Sequence, residues 1–453
     1  MVSKNAAPRL AALAVLGYAL GFVASPARAQ VSFYSAPPPA DFGGGLGNPT
    51  TIPTSLSEAE APAPDENATG SAAPSGGSSD GKSSLGTGLF SKLPIDFTFA
   101  VREGFDDNLF TTKNNTDSSF YTNWAAGAYY TFGTPRLQLQ TSLGGGITYY
   151  YTRPGDKVDF NGNYSLSAVY LATPRLTLSI NSTTAYLSQP DTNIVGGTNR
   201  QDGDYMYSNT VLTGSYQWSQ KFSTVTSYNF NVIYYMDSNL NQNQGRIEQT
   251  IGQSARWLLL PKTTVVAEYR ANPVTYFDAD LNVFNNFFLV GFDQVFNPRF
   301  TWSARGGMQV GFDQNPDDGD SVYVGPYGES TLTYQFGRSS SISWMMRYGT
   351  EASGLNNVTQ RQTFRTGLSL AHAFTRRISM TLGVNYQANY YDQNNVISSY
   401  YENVFDVAVG ASYQINRHWS LSTGYQFTAD VAPQAEYREY TRNVVYIGAN
   451  LAF

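Results

Sequence analysis

The chain is predicted to fold as an all-β, transmembrane up-and-down antiparallel barrel of about 18 strands, preceded by a disordered N-terminal segment. Three observations predict it. Short turns recur every 37 to 47 residues from residue 94 onward. Between them apolar and polar residues alternate, as they do when one face of a strand meets lipid and the other a polar interior. The composition is also unusual: of 453 residues only 14 % are charged while 15 % are aromatic, and 33 are Tyr. Soluble domains usually carry about 25 % charge.

Residues 1–29 read as a secretory signal. Lys4 and Arg9 form the basic start, an apolar core follows over residues 10–23, and Ala27-Arg28-Ala29 precedes a cleavage point between Ala29 and Gln30. Residues 30–93 are rich in Pro, Gly, Ser and Ala, including Pro37-Pro38-Pro39 and Gly43-Gly44-Gly45. Such a stretch buries too little apolar surface to offset its ordering entropy, so it is expected to be a disordered periplasmic segment. Beyond residue 29 no apolar run reaches the roughly 18 residues that a membrane helix needs. The barrel is assigned to residues 94–453.

The turn that sets the pattern is Gly133-Thr134-Pro135-Arg136, repeated as Ala172-Thr173-Pro174-Arg175. Proline presets φ for a tight reversal. Weaker copies lie at Ser219-Gln220-Lys221, Pro261-Lys262, Asn297-Pro298-Arg299, Gly337-Arg338-Ser339, Thr375-Arg376-Arg377 and Asn416-Arg417-His418. The strands they join are expected near 95–105, 120–132, 137–151, 158–171, 176–187, 206–218, 222–236, 246–260 and 263–272. The second half continues near 282–296, 300–312, 322–336, 341–351, 360–374, 378–391, 401–415, 419–428 and 441–453. Connections of two to four residues alternate with longer ones of about 6 to 18, which is the pattern of a bacterial outer-membrane barrel with both termini periplasmic.

The outward face of each strand follows from its large apolar residues, such as Val445, Ile447, Leu451 and Phe453 at the end of the chain. Charge positions play no part in that assignment, yet nearly every strand charge falls on the opposite face; Glu103 is the exception. A lipid-facing Arg or Lys at mid-membrane costs about 2–4 kcal/mol. Aromatic residues gather at both strand ends, as in the two girdles of a barrel. The short turns are basic; the long connections lean acidic, with Asp106-Asp107, Asp202, Asp204, Asp278, Asp280 and Asp317-Asp318-Gly319-Asp320.

Catalytic chemistry is not legible. The two histidines, His372 and His418, lie near short turns without a nucleophile beside them, and there is no cysteine. No catalytic residue, metal ligand or cofactor is assigned. Arg256, Glu268, Arg270, Asp293, Arg305, Glu329, Arg347 and Arg365 all point inward and are the pore-lining candidates. Their interleaved signs fit either a structural salt-bridge lattice or a charged constriction that sets ion preference. Phe453, ending an alternating strand, is the expected assembly signal.

Phe105-Asp106-Asp107-Asn108-Leu109 and the A/G-T-P-R-L turns resemble a family of outer-membrane β-barrel porins. A barrel of this size is expected to be a non-enzymatic channel for small hydrophilic solutes; the alternative is an accessory or structural barrel, and the resemblance implies a link to exopolysaccharide export, in which wall tyrosines such as Tyr207 and Tyr327 would contact sugar. The expected partners are outer-membrane lipid and lipopolysaccharide, the barrel-assembly machinery, and small solutes or polysaccharide. A net charge of −6 gives no support to nucleic-acid binding.

Overall fold

The computed structural model describes residues 95–188, 204–237, 245–277, 282–314, 321–337, 340–355, 358–391, 399–435 and 438–453. The signal and its Ala29–Gln30 junction, the segment 30–93, Arg338, Asp202, Asp278, Asp280 and Asp317–Asp320 lie outside the described residues. The strands are β1 (Ile95–Asp106), β2 (Ser119–Gly133), β3 (Leu137–Tyr150), β4 (Val158–Thr173), β5 (Leu176–Leu187), β6 (Tyr205–Gln217), β7 (Phe222–Tyr235), β8 (Arg246–Leu260) and β9 (Thr263–Tyr276). They continue as β10 (Asn282–Asn297), β11 (Phe300–Gln314), β12 (Ser321–Gly337), β13 (Ser340–Leu355), β14 (Val358–Ala373), β15 (Ile378–Tyr391), β16 (Tyr400–Gln414), β17 (Trp419–Val431) and β18 (Tyr440–Ala452). Each pairs antiparallel with its sequence neighbours, and β1 pairs with β18 from Thr98↔Ala452 to Asp106↔Val444. The result is a closed, 18-stranded antiparallel barrel.

The short turns share more than proline. Thr134 Oγ1 accepts a hydrogen bond from the Leu137 N–H at 2.9 Å, and Thr173 does the same for Leu176 at 3.0 Å. Where proline is absent, Ser219, Thr375 and Asn416 accept from Phe222, Ile378 and Trp419 in the same way, three residues on. The common element is a side-chain oxygen that caps the turn.

The two faces separate as the alternation requires. Val290 (67 % exposed), Ile447 (63 %) and Leu259 (62 %) point outward, while Gln309, Tyr391 and Glu402 point inward and are fully buried. Glu103 remains the outward exception and accepts from the Thr122 hydroxyl. Burial inside the barrel is uneven. At the loop ends the inward residues are packed, with Tyr150, Tyr235, Tyr276, Tyr391, Tyr400 and Tyr440 each 5 % exposed or less. Toward the short turns the inner face opens. Tyrosine suits the closed end because its ring fills volume while its hydroxyl finds a partner. Glycine makes room where rings lie flat on the inner wall: a Cβ at Gly424 would strike the ring of Tyr446, its register partner.

Two expectations change. β9 runs to Tyr276 rather than stopping at residue 272 before Pro273. Pro273 interrupts pairing with β8 only, and the amide of Asn272 donates to the Gln249 carbonyl at 2.9 Å across that break, so the strand continues along β10. Asp106 is not a solvated loop acid. It ends β1, is 1 % exposed, and takes the guanidinium of Arg442 on β18. Beside it Asp107 accepts from the Asn443 N–H and side-chain amide, both at 2.6 Å, while the Asn108 amide donates to the Thr441 carbonyl at 2.9 Å. The Phe105–Leu109 motif is thus a clasp that joins the first strand to the last. Phe453 holds the other end of the same seam through two backbone bonds with Phe97, at 2.8 and 3.0 Å.

Candidate functional site: the charged inner wall

The eight pore-lining candidates come together in two networks. In the first, Asp293 on β10 binds Arg256 of β8 and Arg305 of β11, the latter at 2.8 Å. Arg305 also lies 3.8 Å from Glu268 on β9, whose other oxygen accepts from Arg270 Nε at 2.6 Å. Arg270 then crosses to β12 and donates to both oxygens of Glu329, at 2.7 and 3.1 Å. The Tyr327 hydroxyl completes that carboxylate at 2.7 Å. Register alone would give a different partner, since Arg305 and Glu329 are directly opposed. Arg305 instead bonds Asp293, and Glu329 bonds Arg270 and Tyr327.

The second network adds residues that the parity reading did not single out. Glu351 on β13 accepts from Arg347 of its own strand and from Arg365 of β14 at 2.6 Å, with Arg361 at 3.7 Å. Arg361 donates to the Tyr391 hydroxyl at 3.2 Å, and that hydroxyl donates to Glu402 on β16 at 3.0 Å. Arg438, between β17 and β18, closes the chain onto Glu402 at 2.5 Å. Burial alone would pull the Arg438 guanidinium down, but the Glu402 carboxylate more than offsets this and holds it above the usual arginine value. Ala432 and Ala435 from the same connection pack on Tyr391 and Tyr400, so this connection folds onto the inner wall. Glu351 and Arg361 share the inward parity of Arg347 and Arg365, four residues away, and were legible by that rule. Arg438 lies outside any strand, where parity gives no signal.

The charges differ in access to water. The side chains of Arg256 (20 % exposed) and Asp293 (17 %) meet the lumen, whereas Arg270 (3 %), Arg305 (1 %) and Glu268 (2 %) do not. A neutral ladder runs beside them: Asn272 donates to Thr250 at 3.1 Å, and Gln309 to Asn285 at 3.1 Å and to the Thr350 carbonyl at 2.9 Å. Tyr207 and Tyr327, considered above for sugar contact, are 7 % and 4 % exposed. Contrary to the expectation that neither histidine has a hydroxyl beside it, His372, between Phe336 and Phe374, bonds the Ser340 hydroxyl through Nδ1 at 2.9 Å; His418 is a turn residue whose N–H donates to Asn416. Among the described residues no group of His, Asp and Glu side chains is placed to hold a metal ion.

A closed wall that is apolar outside and charged inside defines a transmembrane β-barrel of the outer-membrane type. Residues 328–452 match a protein family described as "membrane bound beta barrel domain". That match and the fold agree with the outer-membrane barrel family that the Phe105–Leu109 motif resembles. Among solved structures, the chain is similar to OpdK of Pseudomonas aeruginosa, solved with vanillate, at 8 % identity over 79 % of this chain and 99 % of that one, with a TM-score of 0.43. OccAB4 of Acinetobacter baumannii gives 9 %, 79 % and 98 %, with a TM-score of 0.41. The siderophore receptor PirA of Pseudomonas aeruginosa gives 9 %, 80 % and 80 %, with a TM-score of 0.37. No curated protein sequence matches the chain.

Proposed function

We propose that this protein is a non-enzymatic outer-membrane channel for small hydrophilic solutes, inserted with both termini in the periplasm. The supporting observation is two networks of charge on the inner face, which together run from Arg256 on β8 to Glu402 on β16 inside a closed 18-stranded wall. Barrels of 16 to 18 strands leave an aqueous path unless plugged, and a charged lining keeps that path wet. The most exposed of these charges, Arg256 and Asp293, stand one against one, with Arg347 and Arg365 less exposed, so the net fixed charge at the lumen is small and ion selectivity is weak. The outer face meets lipid and lipopolysaccharide, and the β18 end at Phe453 serves the assembly machinery.

The test is single-channel recording from the refolded full-length protein in a planar bilayer. Discrete conductance steps are expected, with a reversal potential near zero in a salt gradient. Arg256→Ser exposes Asp293 and moves the reversal potential toward cation preference. Folded, heat-modifiable protein that carries no current overturns the proposal.

A further inference from the structure

β12 and β13 pair only from Gly337↔Ser340 to Gly328↔Tyr348. Beyond that level each keeps its other neighbour. β12 follows β11 as far as Ser321↔Asp313, and β13 follows β14 as far as Leu355↔Val358. The outer ends of the two strands therefore part. Among the described residues, no strand pairs with the free edge of β12 along residues 321–327.

The cause lies in the sequence. Continued register would set Pro326 opposite Thr350, and proline has no N–H for the Thr350 carbonyl. Gln309 on β11 takes its place. Its Nε2 donates to that carbonyl at 2.9 Å, and its Oε1 accepts from the Thr350 N–H at 2.9 Å. The register partner of Gln309 is Gly325, and the ring of Tyr323 lies where a Cβ at Gly325 would stand. This contact holds β13 on the lumen side of β12: a Cβ at Gly349 would lie 2.6 Å from the inward ring of Tyr327. A Cβ at Gly311 on β11 would meet the Gln360 amide of β14 at 3.5 Å. At Gly349 and Thr350 β13 thus lies against the inner face of β11 and β12, and among the described residues the β12 edge beyond Gly328 has no strand beside it.

The unpaired stretch begins at the level of Tyr348 and rises to that of Phe312, the register partner of Val322, both in the aromatic band at the loop end. Its rim has two characters. Val322 (66 % exposed), Val324 (60 %) and Pro326 present apolar surface outward. The edge of β12 presents backbone N–H and C=O groups sideways. Hydrocarbon does not accept such an edge; it persists at membrane depth only beside a wet cavity or a polar partner. A molecule that suits both parts of the rim carries an acyl chain and a hydrogen-bonding head.

We propose that the gap between β12 and β13 is a lateral portal through which single-chain amphiphiles pass between the lumen and the leaflet at the loop end. The chain slides past Val322, Val324 and Pro326 while the head takes hydrogen bonds from the β12 edge. This path is separate from axial passage of hydrophilic solutes, and the experiment reads the two independently.

The full-length protein is reconstituted into vesicles that enclose albumin, and a pyrene-labelled lysophosphatidylcholine is added outside. Its transfer to the albumin is followed by fluorescence, with conductance of the same variants measured in planar bilayers. Pro326→Val restores the missing donor and lets β13 pair with β12. Pro326→Cys with Thr350→Cys locks the gap on oxidation in a chain that has no native cysteine. Both closures are expected to slow transfer at least tenfold, reversibly on reduction for the cysteine pair, with conductance within twofold of the parent. Transfer no faster than in protein-free vesicles overturns the proposal, as does transfer unchanged by Pro326→Val. A parallel fall in transfer and conductance also overturns it, because the two molecules would then share the axial route. Conductance without lysolipid transfer sinks the portal alone; transfer without conductance sinks only the axial reading.

Discussion

Replacing Arg270 with methionine separates a charge lattice from a solvated lining. Arg270 is 3 % exposed and donates to Glu268 at 2.6 Å and to Glu329 at 2.7 and 3.1 Å. Methionine keeps much of the volume and removes these bonds together with a longer one to the Tyr327 hydroxyl at 3.4 Å. Glu329 is left with the Tyr327 hydroxyl, and Glu268 with Arg305 at 3.8 Å. Breaking a buried pair from one side costs about 3–5 kcal/mol, because a charge stays buried without its partner. Arg270→Met is therefore expected to destabilise the barrel by about that amount. Adding Glu329→Gln removes one of the two stranded charges, and the double variant should recover about 2 kcal/mol relative to the sum of the single changes. The assay is urea unfolding in lipid, followed by the mobility difference between folded and heat-denatured protein on a gel. A loss below about 1 kcal/mol for Arg270→Met refutes the reasoning, since lumen water would then be solvating both carboxylates.

Three further outcomes are expected. The protein should fractionate with outer membranes and migrate faster unboiled than boiled; recovery as a soluble periplasmic protein would contradict the assignment. Arg442→Ala leaves Asp106 buried without its cation, so the closing seam should loosen and the free energy of unfolding measured in urea should fall by about 3 kcal/mol, whereas Arg442→Lys should lose less. Deleting Phe453 removes both backbone bonds to Phe97, and the amount of folded protein in the outer membrane should drop. Normal levels of the truncated chain would show that assembly does not depend on that residue.

The strand count, the positions of most strands and the direction of each side chain were legible in the chain because they depend on local chemistry. Alternation has a period of two, and a turn needs a capping oxygen or a proline within a few residues, so both can be read one hairpin at a time. Glu351 and Arg361 were readable by the same rule. The partners of the charges were not. Arg270 passes over its neighbours to Glu329, 59 residues on, and Asp106 meets Arg442 across 336 residues, because barrel closure brings β1 to β18. Pro326 shows the limit most clearly. Its missing N–H is evident in the chain, but whether a neighbour stays, as β9 does past Pro273, or leaves, as β13 does, depends on which side-chain amide is within reach. Asn272 bridges the first break to the adjacent strand, while Gln309 draws β13 inward from two strands away. That choice is made by hydrogen-bond geometry across the assembled wall, and only the tertiary structure contains it.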